Sequence, residues 1–319
     1  MRADLSIVRS AGISAMELRD GIKHYLARKL ARGAMPNTIS AYDNDLDHYA
    51  RCVERLGEGT LVALQSQRHV ARFLDDQAAQ GISERSQARR LSVLRGFFKH
   101  ARREGWIGHD PAADEQVRFR MPRVVAPEMG QLHAVIDAIP RVGVLNLRDR
   151  ALLRLALDTG ARISQCAVLD IPGSGSQATL DLQRLLVHTI GKGGDTETKC
   201  FNARTRAMLE DWLAVRDDLA RPGHTALFVS QRGTRCCRGT LHDICKKRGA
   251  AAGLPGLHFH LMRHRRGAMV IEACGDKVGQ QFLDHASLAT TSHYGRHANN
   301  TTFALLRERA DIDGARRTA

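Results

Sequence analysis

Apolar residues at helical spacing are the first regularity along the chain. In PNTISAYDNDLDHYARCVERLG, Ile39, Tyr42, Leu46, Tyr49, Val53 and Leu56 recur at alternating intervals of three and four. That period predicts an amphipathic helix opening at Pro36 with Asn37 as its cap. A second stripe, Ala88, Leu91, Leu94, Phe98 and Ala101, predicts a helix from Ser83 to about Arg103, stopped by Gly105. Between Pro111 and Pro127, PAADEQVRFRMPRVVAP contains three prolines and no sustained period, which predicts an extended linker. Beyond residue 128 the pattern is mixed. NLRDRALLRLALDTGARI predicts a helix ending near Gly160, TLDLQRLLVHTIGKGG predicts strands and a turn, and helical text resumes from 203. The expected architecture is multidomain: an all-α N-terminal domain at 16–108, a linker at 109–127, and a mixed α/β, helix-rich domain with a small antiparallel sheet at 128–319.

Composition changes the picture chiefly through charge. Forty-eight Lys and Arg against thirty-four Asp and Glu leave a formal charge of +14, which points to an anionic partner. No apolar run approaches the roughly 20 residues needed to cross a bilayer, so nucleic acid is favoured over membrane. The first residues, MRADLSIVRSAGISAMELRD, lack the apolar core of a secretory signal, and the expected location is the cytoplasm. Seven cysteines without regular spacing fit reduced thiols better than a disulfide framework. Cys236, Cys237 and Cys245 with His242 contain no C-x-x-C pair, so no metal is expected. Neither IGKGG nor GSGSQ completes a phosphate-binding loop or a nucleophile elbow.

The charge concentrates on the second helix. Arg85, Arg89, Arg90, Arg95, Lys99, Arg102 and Arg103 face a single acid, Glu84, and are expected to contact phosphates. A row of this kind is ordinarily a solvated face; the chain's overall charge tips the balance.

The second domain carries an ordered set of polar residues: Arg162 after LDTGA, Lys192 in the GKG turn, His260 and Arg263 in HFHLMRHRRGAMV, then His285 and Tyr294 in LDHASLATTSHY. Spacing of three puts His260 and Arg263 on one helix face. Tyr294, nine residues beyond His285, is the only tyrosine after residue 49. Singly, each of these is ordinary.

The ordered text resembles the tyrosine recombinase (phage integrase) family, Xer-like members in particular. DTGARIS is similar to its first arginine box, GKG to its β-hairpin lysine, HLMRH to its H-x-L-R-H box, and LDHASLATTSHY to its L-G-H-S-S-x-x-T-T-x-x-Y segment. The first domain resembles that family's core-binding (SAM-like) domain, and the resemblance spans most of residues 16–297. There are departures. Gln165 stands where the first arginine box usually has Glu, retaining hydrogen-bonding capacity but losing a charge; Asp284 replaces a Gly; Arg265 and Arg266 stand where small or apolar residues are commoner. No separate arm-binding domain is expected before residue 16.

The chemistry of the set is coherent. Breaking a phosphodiester without a metal needs a nucleophile, a proton donor for the leaving oxygen, and cations around the transition state. Arg162 and Arg263 can grip phosphate oxygens bidentately. His260 and His285 can donate to the same phosphate, and His260 can accept the phenolic proton. Tyr294, ordinarily with a pKa of about 10, becomes nucleophilic where cations favour its phenolate. Lys192 can protonate the leaving 5′-oxygen.

The resemblance implies site-specific recombination of double-stranded DNA through a 3′-phosphotyrosine bond, without cofactor, metal or ATP. It also implies a chain monomeric alone and tetrameric on paired sites. There the C-terminal helix around Phe303, Leu305 and Leu306 would enter a neighbour; docking on its own domain is the alternative. Other functions compatible with these residues are type IB topoisomerase-like relaxation and a catalytically impaired DNA-binding regulator.

Overall fold

The computed structural model describes residues 15–57, 60–120, 125–191, 194–283, 305–306 and 308–313. It divides into two compact units, Met1–Arg123 and Val124–Ala319.

The described part of the first unit contains four α-helices: α1 (Leu18–Ala31), α2 (Pro36–Leu56), α3 (Gln67–Ala79) and α4 (Glu84–Arg103). Leu46, Tyr49 and Val53 of α2 and Leu91, Leu94, Phe98 and Ala101 of α4 are buried in one core with Ile22, Tyr25 and Phe73. Residues three and four apart lie on the same helix face, so the apolar stripes become the packed surfaces. The cap of α2 differs from expectation: it is Met35, with Pro36 in the first turn. Proline's fixed φ and missing N–H suit the first helical position, which starts the helix one residue before Asn37 could cap it. Helix α4 runs as expected. The Ser86 N–H donates to Ser83 Oγ at its start. At its end Gly105 takes φ 74°, its N–H donates to Arg102 O (3.1 Å), and the Trp106 N–H donates to Ala101 O (2.9 Å).

Part of the expected linker belongs to this unit. Ala112 is fully buried and Val117 packs on the same core, while Arg95 donates to Ala112 O (3.1 Å) and to Glu115 O.

The second unit contains α5 (Met129–Asp137), α6 (Val144–Thr159), α7 (Ile163–Val168), a sheet of β1 (Thr179–Asp181), β2 (Leu186–Ile190) and β3 (Thr196–Cys200), then α8 (Ala203–Val215), α9 (Arg238–Ala251), α10 (Phe259–Cys274) and α11 (Asp276–Phe282). The sheet is antiparallel in the order β1-β2-β3, with Val187 opposite Leu180 on one side and Lys199 on the other. Helix α6 is the spine. Every residue from Arg148 to Thr159 is buried, so its charged residues are satisfied internally. Arg148 donates to Val229 O (2.9 Å) and Asp149 (2.8 Å), Arg150 to Ile136 O (3.0 Å) and Ile139 O (2.7 Å), and Arg154 pairs with Asp313. Unpaired charge at such depth would not be tolerated.

Helix α6 ends at Gly160 (φ 59°), where any Cβ would fall 2.8 Å from the Phe282 ring. The same glycine thus turns the chain and admits α11.

The described residues of the C-terminal segment, 305–306 and 308–313, pack on their own unit. Leu306, Ala310 and Ile312 are buried, Asn202 Nδ2 donates to Asp311 (2.7 Å) and Asp313 (2.7 Å), and Arg266 donates to Ala310 O. A short terminal segment gains order only by such docking.

Candidate active site and nucleic-acid interface

Of the six residues expected at the reaction centre, Arg162, His260 and Arg263 fall within the described residues; Lys192, His285 and Tyr294 lie outside them. Arg162 immediately precedes α7, two residues beyond Gly160. Its backbone N–H donates to Gln165 Oε1 (2.8 Å), and the Gln165 N–H returns to Arg162 O (2.8 Å). This reciprocal cap fixes the turn that carries the guanidinium.

His260 and Arg263 occupy the first turns of α10, which opens on His258, whose Nδ1 accepts from the Leu261 N–H (3.3 Å). Arg263 is buried; Nη1 donates to Gly160 O (2.6 Å) and Nη2 to Leu283 O. One side chain therefore ties the end of α6 to the residue just before 284. His260 is at the surface, edge-on to His264 with ring centroids 4.6 Å apart. Desolvation on its inner side, followed by the charges of His264, His258, Arg263 and Arg162, lowers its pKa from the usual histidine value. A neutral imidazole able to accept a proton is favoured near pH 7. Arg162 is thus brought to one neighbourhood with His260 and Arg263, about a hundred residues further along the chain.

Lys192 belongs to the connection between β2 and β3. On either side of it, the Gly191 N–H donates to Asp195 O (2.8 Å) and the Gly194 N–H to Gly191 O (3.2 Å).

Several polar residues at this site escaped the sequence. Glu197 on β3 accepts from Gln165 Nε2 (2.6 Å) and lies 3.8 Å from Arg162 Nη1. Lys199, buried on the same strand, is 4.0 Å from Glu197 and donates to Phe282 O (3.1 Å). Arg266, one of the departures from the family text, is buried against Asp158: its Nε donates to Asp158 O (2.8 Å), and its guanidinium lies 3.6 Å from the carboxylate and over the Phe282 ring. Arg265 pairs with Glu128. The only signal for these in the text was the abnormality of charge at 265, 266 and 165.

On α4 the seven cations divide. Arg89 pairs with buried Asp45, Arg90 donates to Gln77 Oε1 (2.9 Å) with Asp45 at 3.6 Å, and Arg95 holds the Ala112 and Glu115 carbonyls. These three are engaged by the protein itself, because Asp45 of α2 and the chain after α4 turn towards that part of the helix. Arg85, Lys99, Arg102 and Arg103 are exposed, with no side-chain partner among the described residues.

Among the described residues, no three His, Cys, Asp or Glu side chains form a metal-binding group. Cys236 and Cys245 are buried in the core, and Cys237 caps α9. Also among them, no helix is long and apolar enough to cross a membrane.

Comparison with known proteins agrees with this geometry. The phage integrase family pattern matches residues 127–301, and the phage integrase N-terminal SAM-like domain matches residues 22–105. Tyrosine recombinase XerC of Chromohalobacter salexigens is 34% identical over 276 residues, which cover 84% of this chain and 88% of the relative. Among solved structures, a lambda integrase (75–356) dimer bound to a COC′ core site superposes with a TM-score of 0.65 at 18% identity, covering 88% of this chain and 100% of that one. A lambda integrase tetramer bound to a Holliday junction gives 0.66 at 17% identity, covering 88% and 80%. With two arginines and a histidine gathered near strand β3, and with similarity running through both units, the chain belongs to the phage integrase family of tyrosine recombinases.

Proposed function

We propose that this chain cuts and rejoins double-stranded DNA at specific recombination sites through a covalent 3′-phosphotyrosine intermediate on Tyr294, without metal or nucleotide. The observation that carries the proposal is the bond from Arg263 to Leu283 O, together with the bond to Gly160 O. It puts Leu283, two residues before His285, beside the guanidinium and the Arg162 turn, which supports reading His285 and Tyr294 as members of the same site. In this scheme Arg162 and Arg263 hold the non-bridging oxygens, and His285 donates to the same phosphate. His260, kept neutral, takes the phenolic proton, and Lys192 gives a proton to the departing 5′-oxygen. The phosphotyrosine bond conserves the energy of the phosphodiester, so attack by a 5′-hydroxyl reverses the step. Recombination follows when that hydroxyl belongs to a partner strand.

Arg85, Lys99, Arg102 and Arg103 supply sequence-independent phosphate contacts from the first unit. The chain is monomeric in the absence of DNA, and tetramers form on paired sites, as in the lambda integrase tetramer bound to a Holliday junction. The cytoplasm is the compartment where such a substrate is met.

A nicked duplex that traps the covalent product tests the scheme. The full chain should become attached in EDTA and without nucleotide, and Tyr294→Phe should abolish attachment while duplex binding stays nearly unchanged. Attachment by the phenylalanine variant, or a requirement for added Mg²⁺, would overturn it. Relaxation of supercoils without exchange between paired sites would favour a topoisomerase. Site-specific binding without attachment would favour a regulator.

A further inference from the structure

We infer that Glu197 is a positioning residue for Arg162, supplying from the strand the carboxylate that the first arginine box lacks at Gln165. The inference rests on the strand-transfer chemistry proposed above. Three groups converge on Glu197 Oε2: Gln165 Nε2 at 2.6 Å, Arg162 Nη1 at 3.8 Å and Lys199 Nζ at 4.0 Å. The Arg162 backbone N–H in turn donates to Gln165 Oε1 (2.8 Å), so the Gln165 amide links the backbone of Arg162 to the carboxylate that faces its guanidinium.

Gln165 is almost fully buried, and its amide orientation is set from both ends. The pair is chemically matched. A glutamate at 165 would set two carboxylates in contact and force a proton onto one of them, whereas an amide presents its N–H to the one carboxylate present. Gly191 completes the arrangement, because any Cβ there would occupy the place of the Glu197 carboxylate.

Arg162 is a long, partly exposed side chain whose type has many rotamers. Bidentate grip of a phosphate requires one of them, and fixing it in advance removes an entropic cost from the transition state. Through Lys199, which holds Phe282 O (3.1 Å), the same carboxylate also bears on the chain leading to His285. Glu197 touches no reacting atom in this scheme.

The test compares the full-length chain with Glu197→Gln and with the double variant Gln165→Glu/Glu197→Gln, which moves the charge to the other end of the same hydrogen bond. Attachment to the nicked duplex should slow by roughly ten- to a hundredfold in Glu197→Gln, the order expected when a reacting geometry loosens. Duplex affinity should stay at the wild-type value, and the double variant should recover most of the rate together with the stability lost when buried Lys199 is left without the carboxylate. A second readout is independent of activity: the ¹⁵N-resolved Nε–H resonance of Arg162, assigned by its loss in Arg162→Lys. It should broaden and exchange faster in Glu197→Gln and sharpen again in the double variant. Attachment by Glu197→Gln at or above the wild-type rate, or a double variant no better than the single one, overturns the inference. An Arg162 resonance indifferent to Glu197 overturns it as well. If the wild-type chain itself never becomes attached, the strand-transfer scheme fails, and the Arg162 resonance alone decides the role of Glu197.

Discussion

Helix α4 of the first unit keeps Arg85, Lys99, Arg102 and Arg103 at its surface, whereas α6 of the second unit buries Arg148, Arg150 and Arg154 entirely. Along the sequence the two helices look alike, with basic residues set among leucines. On α6 each guanidinium finds carbonyls or a carboxylate within the fold, and the charge becomes a scaffold. On α4 the cations split between both fates, since Arg89 and Arg90 meet Asp45 and Arg95 meets backbone carbonyls. Density of charge therefore signals a polyanion only after the internally satisfied cations are subtracted.

The contrast can be broken most severely on α6. Asp158→Ala would leave Arg266 buried without its counter-charge, at a cost of about 3–5 kcal/mol. Each unit holds one tryptophan, Trp106 in the first and Trp212 in the second, so urea unfolding followed through Trp212 in a Trp106→Phe background reads this loss. A loss below 1 kcal/mol, on the scale of an exposed ion pair, would mean that the spine does not depend on paired charge.

The corresponding change beside α4 is Asp45→Ala, which strips the buried partner from Arg89 and Arg90. Because these cations have partial access to water, the expected loss is smaller, about 1.5–3 kcal/mol, read through Trp106. Duplex binding should keep its salt dependence.

Acid should weaken both units more gently. Burial lowers the pKa of His100 at the end of α4, and burial followed by the Arg154 charge lowers that of His133 beside α6. Both fall below the usual value of about 6.5, so the unfolded chain binds more protons in that window. Stability should be complete above about pH 6.5 and decline as the pH drops below it. Loss of this decline in His100→Gln and His133→Gln variants would confirm the source.

The smallest effect on stability belongs to the exposed cations. Lys99→Ala, Arg102→Ala and Arg103→Ala should each change unfolding by no more than about 0.5 kcal/mol. If they contact phosphate, each should lower the slope of log affinity against log salt by about one. A destabilised variant with an unchanged salt slope would move that residue to the structural side of the comparison.

Periodicity alone was enough for α2 and α4, because a one-sided core leaves its stripe in the sequence: Leu46, Tyr49, Leu91 and Phe98 were legible as buried before any fold was known. Order and residue type were likewise enough to nominate Arg162, His260 and Arg263, since few arrangements of guanidinium and imidazole suit a phosphate. What the tertiary structure alone decided was the partnership of charges. Asp158 meets Arg266 across 108 residues, and Gln165 meets Glu197 across 32. The register of the three-stranded sheet, which turns Glu197 and Lys199 towards the arginine turn, is not encoded in TETKC, where polar residues alternate without an apolar face. Local sequence determines which surface of an element shuns water, because that preference belongs to each side chain separately. Which cation neutralises which carboxylate depends on distance, and distance between remote residues exists only once the chain has folded.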